Sequence, residues 1–187
     1  MSTEALERAS ASTRGILANV TPEQLSAPTP CQSWQVRDLI NHLIGVSYFA
    51  AEAVNTGTAT SPPETDFCSG DMLAAYNDAS SQAVAAFGTA GAQEKMITLP
   101  FATLPGAAFM SIASTDAFVH GWDLAKATGQ STDIDPELAG QLLDGARMFV
   151  QPAFRGEDGK APFGPEQQPP PDASSADQLA AFLGRRV

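Results

Sequence analysis

Apolar residues recur at intervals of three and four along five stretches of this chain, and that spacing marks one face of an α-helix. Ala supplies many of these positions while β-branched runs are few, which favours helices. The predicted helices span residues 2–19, 33–55, 70–88, 105–127 and 136–150, and a short last helix lies near 175–184. We therefore predict an all-α fold, with Ser33 as the N-cap of the second helix.

One stretch, EKMITLPFATLPG at residues 94–106, has strand character, and we interpret it as an extended crossing. The length of 187 residues suits a single domain over residues 1–187. Residues 151–187 form a C-terminal segment rich in Pro and Gly, which we expect to wrap over the surface before the last helix. Several helices with little strand indicate an antiparallel bundle, a class that builds its sites from side chains on facing helices.

The charge balance narrows the choice of partners. The formal net charge is −11, and no Lys/Arg cluster offers a phosphate-binding face, since Arg185 and Arg186 alone are too few. We therefore expect no nucleic acid and no membrane as a partner. The first residues, MSTEALERAS, lack the basic and apolar regions of a secretion signal, so we predict a cytoplasmic protein.

Two cysteines, Cys31 and Cys68, form no CxxC pattern, which excludes a disulfide framework and a zinc finger. We interpret both as ordinary buried thiols. A functional thiol at Cys31 stays open as the lesser alternative, because a position near a helix start favours the thiolate.

Ionisable residues lie among the apolar ones on the fourth helix. In the stretch STDAFVHGWDLAKATGQ, residues 114–130, a helical wheel places Asp116, His120 and Asp123 within roughly 60° of one another, in the middle of the apolar arc. His42 lies at the edge of the apolar arc of the second helix. These four side chains are therefore predicted to point toward the core.

Two interpretations of these residues stay open. A buried carboxylate needs a partner, and a network of ion pairs and hydrogen bonds with the histidines would supply it. Alternatively, the residues bind a divalent metal. The D-x-x-x-H spacing of Asp116 and His120 places both on one face, one turn apart, and a ligand from a facing helix would complete an open site with water in the fourth position.

Both tryptophans are expected to serve mainly in packing. We predict Trp34 to be a core plug at the start of the second helix, because packing is the common use of a buried indole, with a substrate contact as the lesser alternative. Trp122 faces away from the arc of Asp116 and is expected to pack against the last segment.

Three stretches carry a resemblance to a known family. They are TPCQSWQVRDLINHLIG, DAFVHGWDLAKATGQ and the tail FGPEQQPPPDASSADQLAAFLGRR. The first two resemble the DinB-like superfamily, and more closely its actinobacterial branch related to mycothiol-dependent maleylpyruvate isomerase. The tail is similar to the C-terminal segment of an uncharacterised metal-binding subfamily in that branch. The resemblance covers nearly the whole chain.

The resemblance implies a DinB-like antiparallel four-helix bundle in up-down-down-up order, with an extra C-terminal helix and an extended tail. It also implies a divalent metal held by a His on the second helix and a carboxylate-x-x-x-His pair on a later helix. Carried over to this sequence, the metal ligands are His42, Asp116 and His120, with Asp116 in place of the Glu of the isomerase pattern. Asp123 matches the Asp of the HxxD piece. It would support His120 from behind, or serve as the reserve ligand if Asp116 does not reach.

The cofactors implied by the resemblance are a divalent transition metal, zinc first and nickel as the alternative, and mycothiol, the low-molecular-weight thiol of actinobacteria. The implied function is a metal-dependent enzyme of thiol transfer or isomerisation that acts on a small-molecule substrate. Two other interpretations stay open: a non-catalytic metal- or ligand-binding module, and a structural bundle with a buried Asp/His network. A homodimer is also left open, because bundles of this superfamily often pair.

Overall fold

The computed structural model describes residues 2–157 and 160–187, and within them the chain is mostly helical. The α-helices are α1 (Glu4–Leu17), α2 (Val36–Thr56), α3 (Met72–Gly88), α4 (Gly106–Thr128), α5 (Pro136–Phe149) and α6 (Ser175–Phe182). Two strands, β1 (Met96–Leu99) and β2 (Ala102–Pro105), lie between α3 and α4, and 3-10 turns occur at Pro22–Ser26, Phe67–Ser69 and Pro152–Phe154. The predicted helices are confirmed, and a small sheet is added to the predicted all-α class.

The first four helices pack against one another. α1 packs along α4 and also contacts α3, while α2 packs along α3 and also contacts α4. α5 and α6 pair with each other, and both contact α4. α4 thus lies between the first three helices on one side and the α5–α6 pair on the other, and every residue from Phe118 to Ala125 is buried. The up-down-down-up order of the bundle stays a prediction.

The start of α2 differs from the prediction, because Ser33 does not cap it. The helix begins at Val36, with Gln35 as the N-cap residue. The preceding residues form a tight turn instead, in which the Trp34 N–H donates to the carbonyl of Cys31 at 2.8 Å. This turn brings the side chains of Cys31 and Trp34 toward α4.

The stretch interpreted as an extended crossing is a β-hairpin. β1 pairs antiparallel with β2, with Ile97 opposite Leu104 and Leu99 opposite Ala102. Ile97 and Leu99 are buried, and β1 contacts both α2 and α4, so the hairpin covers part of the core. The chain reverses at Phe101, whose side chain stays exposed.

The C-terminal segment is tied to α6 and then turns inward. Arg155 Nη1 donates to the carbonyl of Gly164 at 3.0 Å and to a carbonyl at the end of α6 at 2.7 Å. Gly184 has a φ of +97°, and a side chain at this position would collide with the backbone of Gly164. This left-handed residue redirects the chain after α6, so that the side chain of Arg185 enters the protein.

The prediction that Trp122 packs against the last segment is confirmed. Its indole N–H donates to Asp177 Oδ1 of α6 at 2.8 Å, and the side chain is fully buried. This bond satisfies the one polar atom of the indole and joins α6 to the middle of α4.

Gly121 lets α1 and α4 approach closely beside His120. A Cβ at this position would overlap Thr13 Oγ1 and lie 3.1 Å from Thr13 Cβ. Thr13 is buried, and its hydroxyl donates to the Ala117 carbonyl of α4 at 2.7 Å, so it cannot move aside without losing that bond. The position therefore requires glycine for reasons of space.

We predict that Gly121→Ala lowers the free energy of unfolding by about 1–3 kcal/mol, because overpacking outweighs the gain in helix propensity. The matched control is Gly140→Ala in α5, where a Cβ meets no atom within 4 Å. This control should raise the free energy of unfolding by up to about 1 kcal/mol. Urea denaturation followed by circular dichroism measures both, and equal effects would contradict the close approach of α1 and α4.

Candidate metal centre

His42, Asp116 and His120 meet between α2 and α4. One ligand atom from each of the three side chains lies within 4.8 Å of the other two. His42 Nε2 lies 3.4 Å from Asp116 Oδ2, and His120 Nε2 lies 3.5 Å from Asp116 Oδ1. The two imidazole rings stand edge to face, with their centroids 4.8 Å apart. The carboxylate of Asp116 thus lies near one ring nitrogen from each helix.

These separations fit metal coordination better than hydrogen bonding. Hydrogen bonds between nitrogen and oxygen are about 2.7–3.2 Å long, whereas ligand atoms about 2.1 Å from a shared tetrahedral metal are separated by about 3.4 Å. In addition, Asp116 Oδ2 is buried and makes no hydrogen bond to any described residue. Such an orphaned oxygen is unfavourable, and a divalent cation would be a suitable partner. The three side chains therefore fit the metal that the resemblance implies.

Asp116 reaches both histidines although it is one methylene shorter than the Glu of the isomerase pattern. Burial by itself raises the pKa of Asp116, but the charges of His120 and His42 outweigh burial and lower the pKa to about 2. The carboxylate is therefore ionised at neutral pH, which is the form that ligates a metal. By distance, the reserve role considered for Asp123 is not needed.

Asp123 contacts the other nitrogen of the His120 ring. His120 Nδ1 lies 2.9 Å from Asp123 Oδ2, and Asp123 is 0% exposed. Burial by itself raises the pKa of Asp123, but the Arg185 charge and the hydrogen bond from His120 lower it to about 2. An ionised carboxylate accepts only, so Nδ1 carries the hydrogen of this contact, and Nε2, the nitrogen near Asp116, is the one that would ligate a metal. Metal-ligating histidines are commonly supported in this way.

Arg185 holds Asp123 from the opposite side and is not among the residues that the sequence predicts for the site. Its Nε donates to Asp123 Oδ1 at 3.2 Å and its Nη2 to Oδ2 at 2.9 Å, which is a bidentate pair. In the sequence, Arg185 stands beside Arg186, and nothing in the FLGRRV stretch distinguishes the two. The sequence feature that could have indicated such a partner is Asp123, since a carboxylate on an apolar arc requires a cation from elsewhere in the chain.

The two cysteines have different surroundings. Cys68 lies half-buried in a 3-10 turn, and burial raises the pKa of its thiol to about 11, as expected for an inert thiol. Cys31 lies beside the site, with its Sγ 3.4 Å from Asp123 Oδ2 and 3.7 Å from Arg185 Nη2. The structure therefore places Cys31, and not Cys68, within reach of the ionisable cluster.

A second group, formed by Cys31, His120 and Asp123, also has ligand atoms within 4.8 Å of one another. The guanidinium of Arg185 lies against both the thiol and the carboxylate of this group, and its positive charge opposes a cation there. Asp116, in contrast, has an oxygen without a hydrogen bond among the described residues. The group around Asp116 is therefore the better candidate for a metal.

Trp34 packs against the hydrophobic core, as the prediction of a core plug requires, but it is not fully buried. The side chain is half-buried, and its ring lies over both histidines, with centroid separations of 4.7 Å to His42 and 5.5 Å to His120. The tight turn before α2 carries the indole to this position, because the helix starts later than predicted. An aromatic ring over the two imidazoles restricts their orientation and shields them from water.

A cavity of about 150 Å³ adjoins the site at Asp116. Its walls are mostly apolar side chains of α2 and α4, including Leu43, Phe109 and Ile112, and Phe101 of the hairpin also lines it. The side chain of Phe101 is itself 64% exposed. Asp116 is the charged residue among the described residues that line the space.

The helical fold and this ligand group define a helical-bundle protein with a candidate centre of two histidines and one aspartate. A family model described as the mycothiol maleylpyruvate isomerase N-terminal domain matches residues 6–125, so the chain belongs to this family. The matched range contains His42, Asp116, His120 and Asp123. It ends before α5 and the C-terminal segment, and thus does not include Arg185.

Two relatives from Mycobacterium tuberculosis are similar along almost the whole chain. The uncharacterized protein Rv0738 of strain ATCC 25618 / H37Rv is 44% identical over 181 residues, which are 97% of this chain and 96% of the relative. The uncharacterized protein MT0763 of strain CDC 1551 / Oshkosh matches with the same identity and coverage. The resemblance to the actinobacterial branch is confirmed, and this similarity extends beyond the range that the family model matches.

The lowered pKa of Asp123 predicts a pH dependence of stability. Its folded value of about 2 lies below the unfolded value of about 3.9, so the ionised carboxylate stabilises the fold above about pH 4. This stabilisation is lost as the pH falls through about 2.

We therefore predict that the wild type loses about 2 kcal/mol more stability between about pH 5 and pH 2 than the double variant Asp123→Asn/Arg185→Met. The double variant removes both charges of the pair and keeps the carboxylates that lie away from it, so the titration of those distant groups cancels in the comparison. Urea denaturation at each pH measures the difference, and parallel losses in the two proteins would contradict the prediction.

Proposed function

We propose that this protein is a divalent-metal-dependent enzyme of thiol transfer or isomerisation, with His42, Asp116 and His120 as the metal ligands. The observation that carries the proposal is Asp116 Oδ2, a buried carboxylate oxygen 3.4 Å from His42 Nε2 with no hydrogen bond to any described residue. Three protein ligands are the number found in catalytic zinc centres, which keep a fourth position for water or substrate.

Zinc is the first choice of metal, and nickel is the alternative, because imidazole and carboxylate ligands suit both. When bound, the metal supplies a Lewis acid that polarises a carbonyl and favours the ionised form of a thiol or water. The protein orients this group: Asp123 fixes the ring of His120 from behind, and Trp34 lies over both histidines. These contacts hold the ligands in place before a metal arrives.

The cavity supports a small molecule with an apolar part as the substrate. A volume of about 150 Å³ is enough to enclose a benzene-sized group, and it is too small for a drug-sized ligand. The charged end of the cavity is Asp116, which is also a proposed ligand. A substrate in this space would have its apolar end between α2 and α4 and its reactive end at the ligand group.

The thiol in this proposal comes from family membership. The matching family is described by mycothiol and maleylpyruvate isomerase, and we extend a mycothiol-type thiol to this chain as the co-substrate. Thiols react as thiolates, and a neighbouring cation favours that form. The chain contains two histidines, and both belong to the ligand group, so no imidazole remains as a separate general base.

The absence of a separate imidazole base favours one alternative, a non-catalytic metal- or ligand-binding module. In such a module the fourth coordination position would be closed to added thiols.

A homodimer, a cytoplasmic location and the absence of nucleic-acid partners stay predictions. Within residues 2–157 and 160–187, no helix has both the length and the apolar character needed to cross a bilayer.

We predict that the protein, purified without a polyhistidine tag or chelator, carries about one transition metal per chain. His120→Ala and Asp116→Ala should each lose this metal, because each removes one of three ligands. The matched control is Asp144→Ala, which changes an exposed aspartate of α5 and should keep the metal. Plasma mass spectrometry of the purified variants measures the metal content.

Chelation of the wild-type protein gives a second readout. A metal present at 100 times its Kd stabilises the fold by about 2.7 kcal/mol, so removing it should lower Tm by about 5–10 °C. His120→Ala should be unaffected by the chelator. If the wild type neither carries nor takes up Zn²⁺, Ni²⁺ or Co²⁺, the metal proposal fails and the residues form a hydrogen-bonded network. If it binds Co²⁺ but small thiols leave the absorption spectrum unchanged, the binding module is supported instead.

A further inference from the structure

We infer that Arg185 is a positioning residue for the metal centre. Through Asp123 it keeps His120 in the tautomer whose Nε2 faces Asp116, and it keeps cations away from the neighbouring thiol of Cys31. This inference rests on the proposed function, because it concerns the same ligand group. Arg185 lies outside the range that the family model matches, so its role is not carried over from the family.

The first step is the orientation of the Asp123 carboxylate. Both of its oxygens are held by Arg185, at 3.2 Å from Nε and 2.9 Å from Nη2, and this fork fixes the plane of the carboxylate. In that plane Oδ2 lies 2.9 Å from His120 Nδ1. Without Arg185, the carboxylate loses the two bonds that fix its direction, and the hydrogen on Nδ1 loses a fixed acceptor. His120 Nε2 would then no longer be held in its direction toward Asp116.

The second step is the turn at Gly184, which directs the side chain of Arg185 into the protein. Gly184 is in the left-handed region and packs against Gly164, and the Arg185 N–H donates to the carbonyl of Ala180 at 2.9 Å. The Arg185 side chain is therefore 12% exposed, while Arg186 is exposed on the surface. Two consecutive arginines thus differ in environment, and Arg186 is a matched control for Arg185.

The third step concerns the choice between two ligand groups that share His120. Arg185 Nη2 lies 2.9 Å from Asp123 Oδ2 and 3.7 Å from Cys31 Sγ, so it occupies the side of the ring on which a second cation would bind. A site with a thiolate would attract soft metals more strongly than the carboxylate and imidazoles around Asp116. Removing the guanidinium should therefore open the Cys31 group to metal.

The test is a Co²⁺ titration of the metal-free protein, followed by absorption, in wild type, Arg185→Met and Arg186→Met. We expect Arg185→Met to bind Co²⁺ at the Asp116 group at least about 10-fold more weakly, and to show a thiolate-to-cobalt absorption band. Arg186→Met should match the wild type, with no such band. The band should disappear in Cys31→Ser/Arg185→Met, because that variant lacks the sulfur.

A second measurement reads the tautomer directly in the metal-free protein. Nitrogen-15 NMR of the two histidines, assigned with His42→Gln, should show His120 protonated at Nδ1 in the wild type and a changed tautomer population in Arg185→Met. The double variant Asp123→Asn/Arg185→Met should restore the wild-type tautomer, because the amide oxygen of Asn accepts from Nδ1–H without needing a counter-charge. A merely structural role of Arg185 would not be rescued in this way.

The outcomes separate the inference from the proposed function. Wild-type Co²⁺ affinity and an unchanged His120 tautomer in folded Arg185→Met would overturn the inference. If Arg185→Met does not fold, the double variant decides: a wild-type tautomer supports the inference, and a changed one overturns it. If no variant, the wild type included, binds Co²⁺, the proposed function fails, and the tautomer measurement alone decides whether Arg185 positions His120.

Discussion

The buried pair of Asp123 and Arg185 is the interaction on which the site depends. Each of these charges would be very unfavourable alone in the core, but together they satisfy each other, and the remaining capacity of Asp123 is used by His120. Arg185 comes from the C-terminal segment and Asp123 from the middle of α4. One residue earlier, Trp122 is bonded to α6 as well. The docking of the C-terminal segment on α4 and the orientation of a candidate metal ligand therefore depend on the same contacts.

The two ring nitrogens of His120 have different surroundings, because each one lies beside a different carboxylate. On one side Nε2 meets the Asp116 carboxylate, which has an oxygen without a hydrogen bond among the described residues. On the other side Nδ1 meets the Asp123 carboxylate, which a guanidinium already neutralises. The two carboxylates of α4 thus have different partners: a guanidinium binds Asp123 directly, whereas the imidazoles of His42 and His120 are the groups near Asp116. The apolar cavity adjoins the site on the side of Asp116.

Helix periodicity was enough to predict much of this arrangement. The helix positions follow from apolar spacing, and the inward direction of His42, Asp116, His120 and Asp123 follows from the arcs on which they lie. The choice of His42, Asp116 and His120 as one group came from the family resemblance, and their ligand atoms do lie close together. Turns could not be predicted in the same way. The hairpin at residues 96–105 and the later start of α2 depend on backbone hydrogen bonds, which side-chain periodicity does not encode. For the same reason the position of Trp34 over the two histidines was not predicted. The contact of Arg185 joins residues 62 positions apart and depends on the left-handed turn at Gly184, so no local pattern in the sequence could reveal it.

The position of Trp34 gives the molecule an optical property. Its indole lies within 5.5 Å of both imidazole rings, measured between centroids, so its emission is coupled to whatever occupies the space between them. Paramagnetic ions quench a neighbouring indole, whereas Zn²⁺ has a filled d shell and no redox chemistry. Trp122, the other tryptophan of the chain, is enclosed against α6 and contributes a steady background. If the proposed metal site is real, Trp34 fluorescence would report the binding of a paramagnetic ion such as Co²⁺ there, without a label or an assay for turnover.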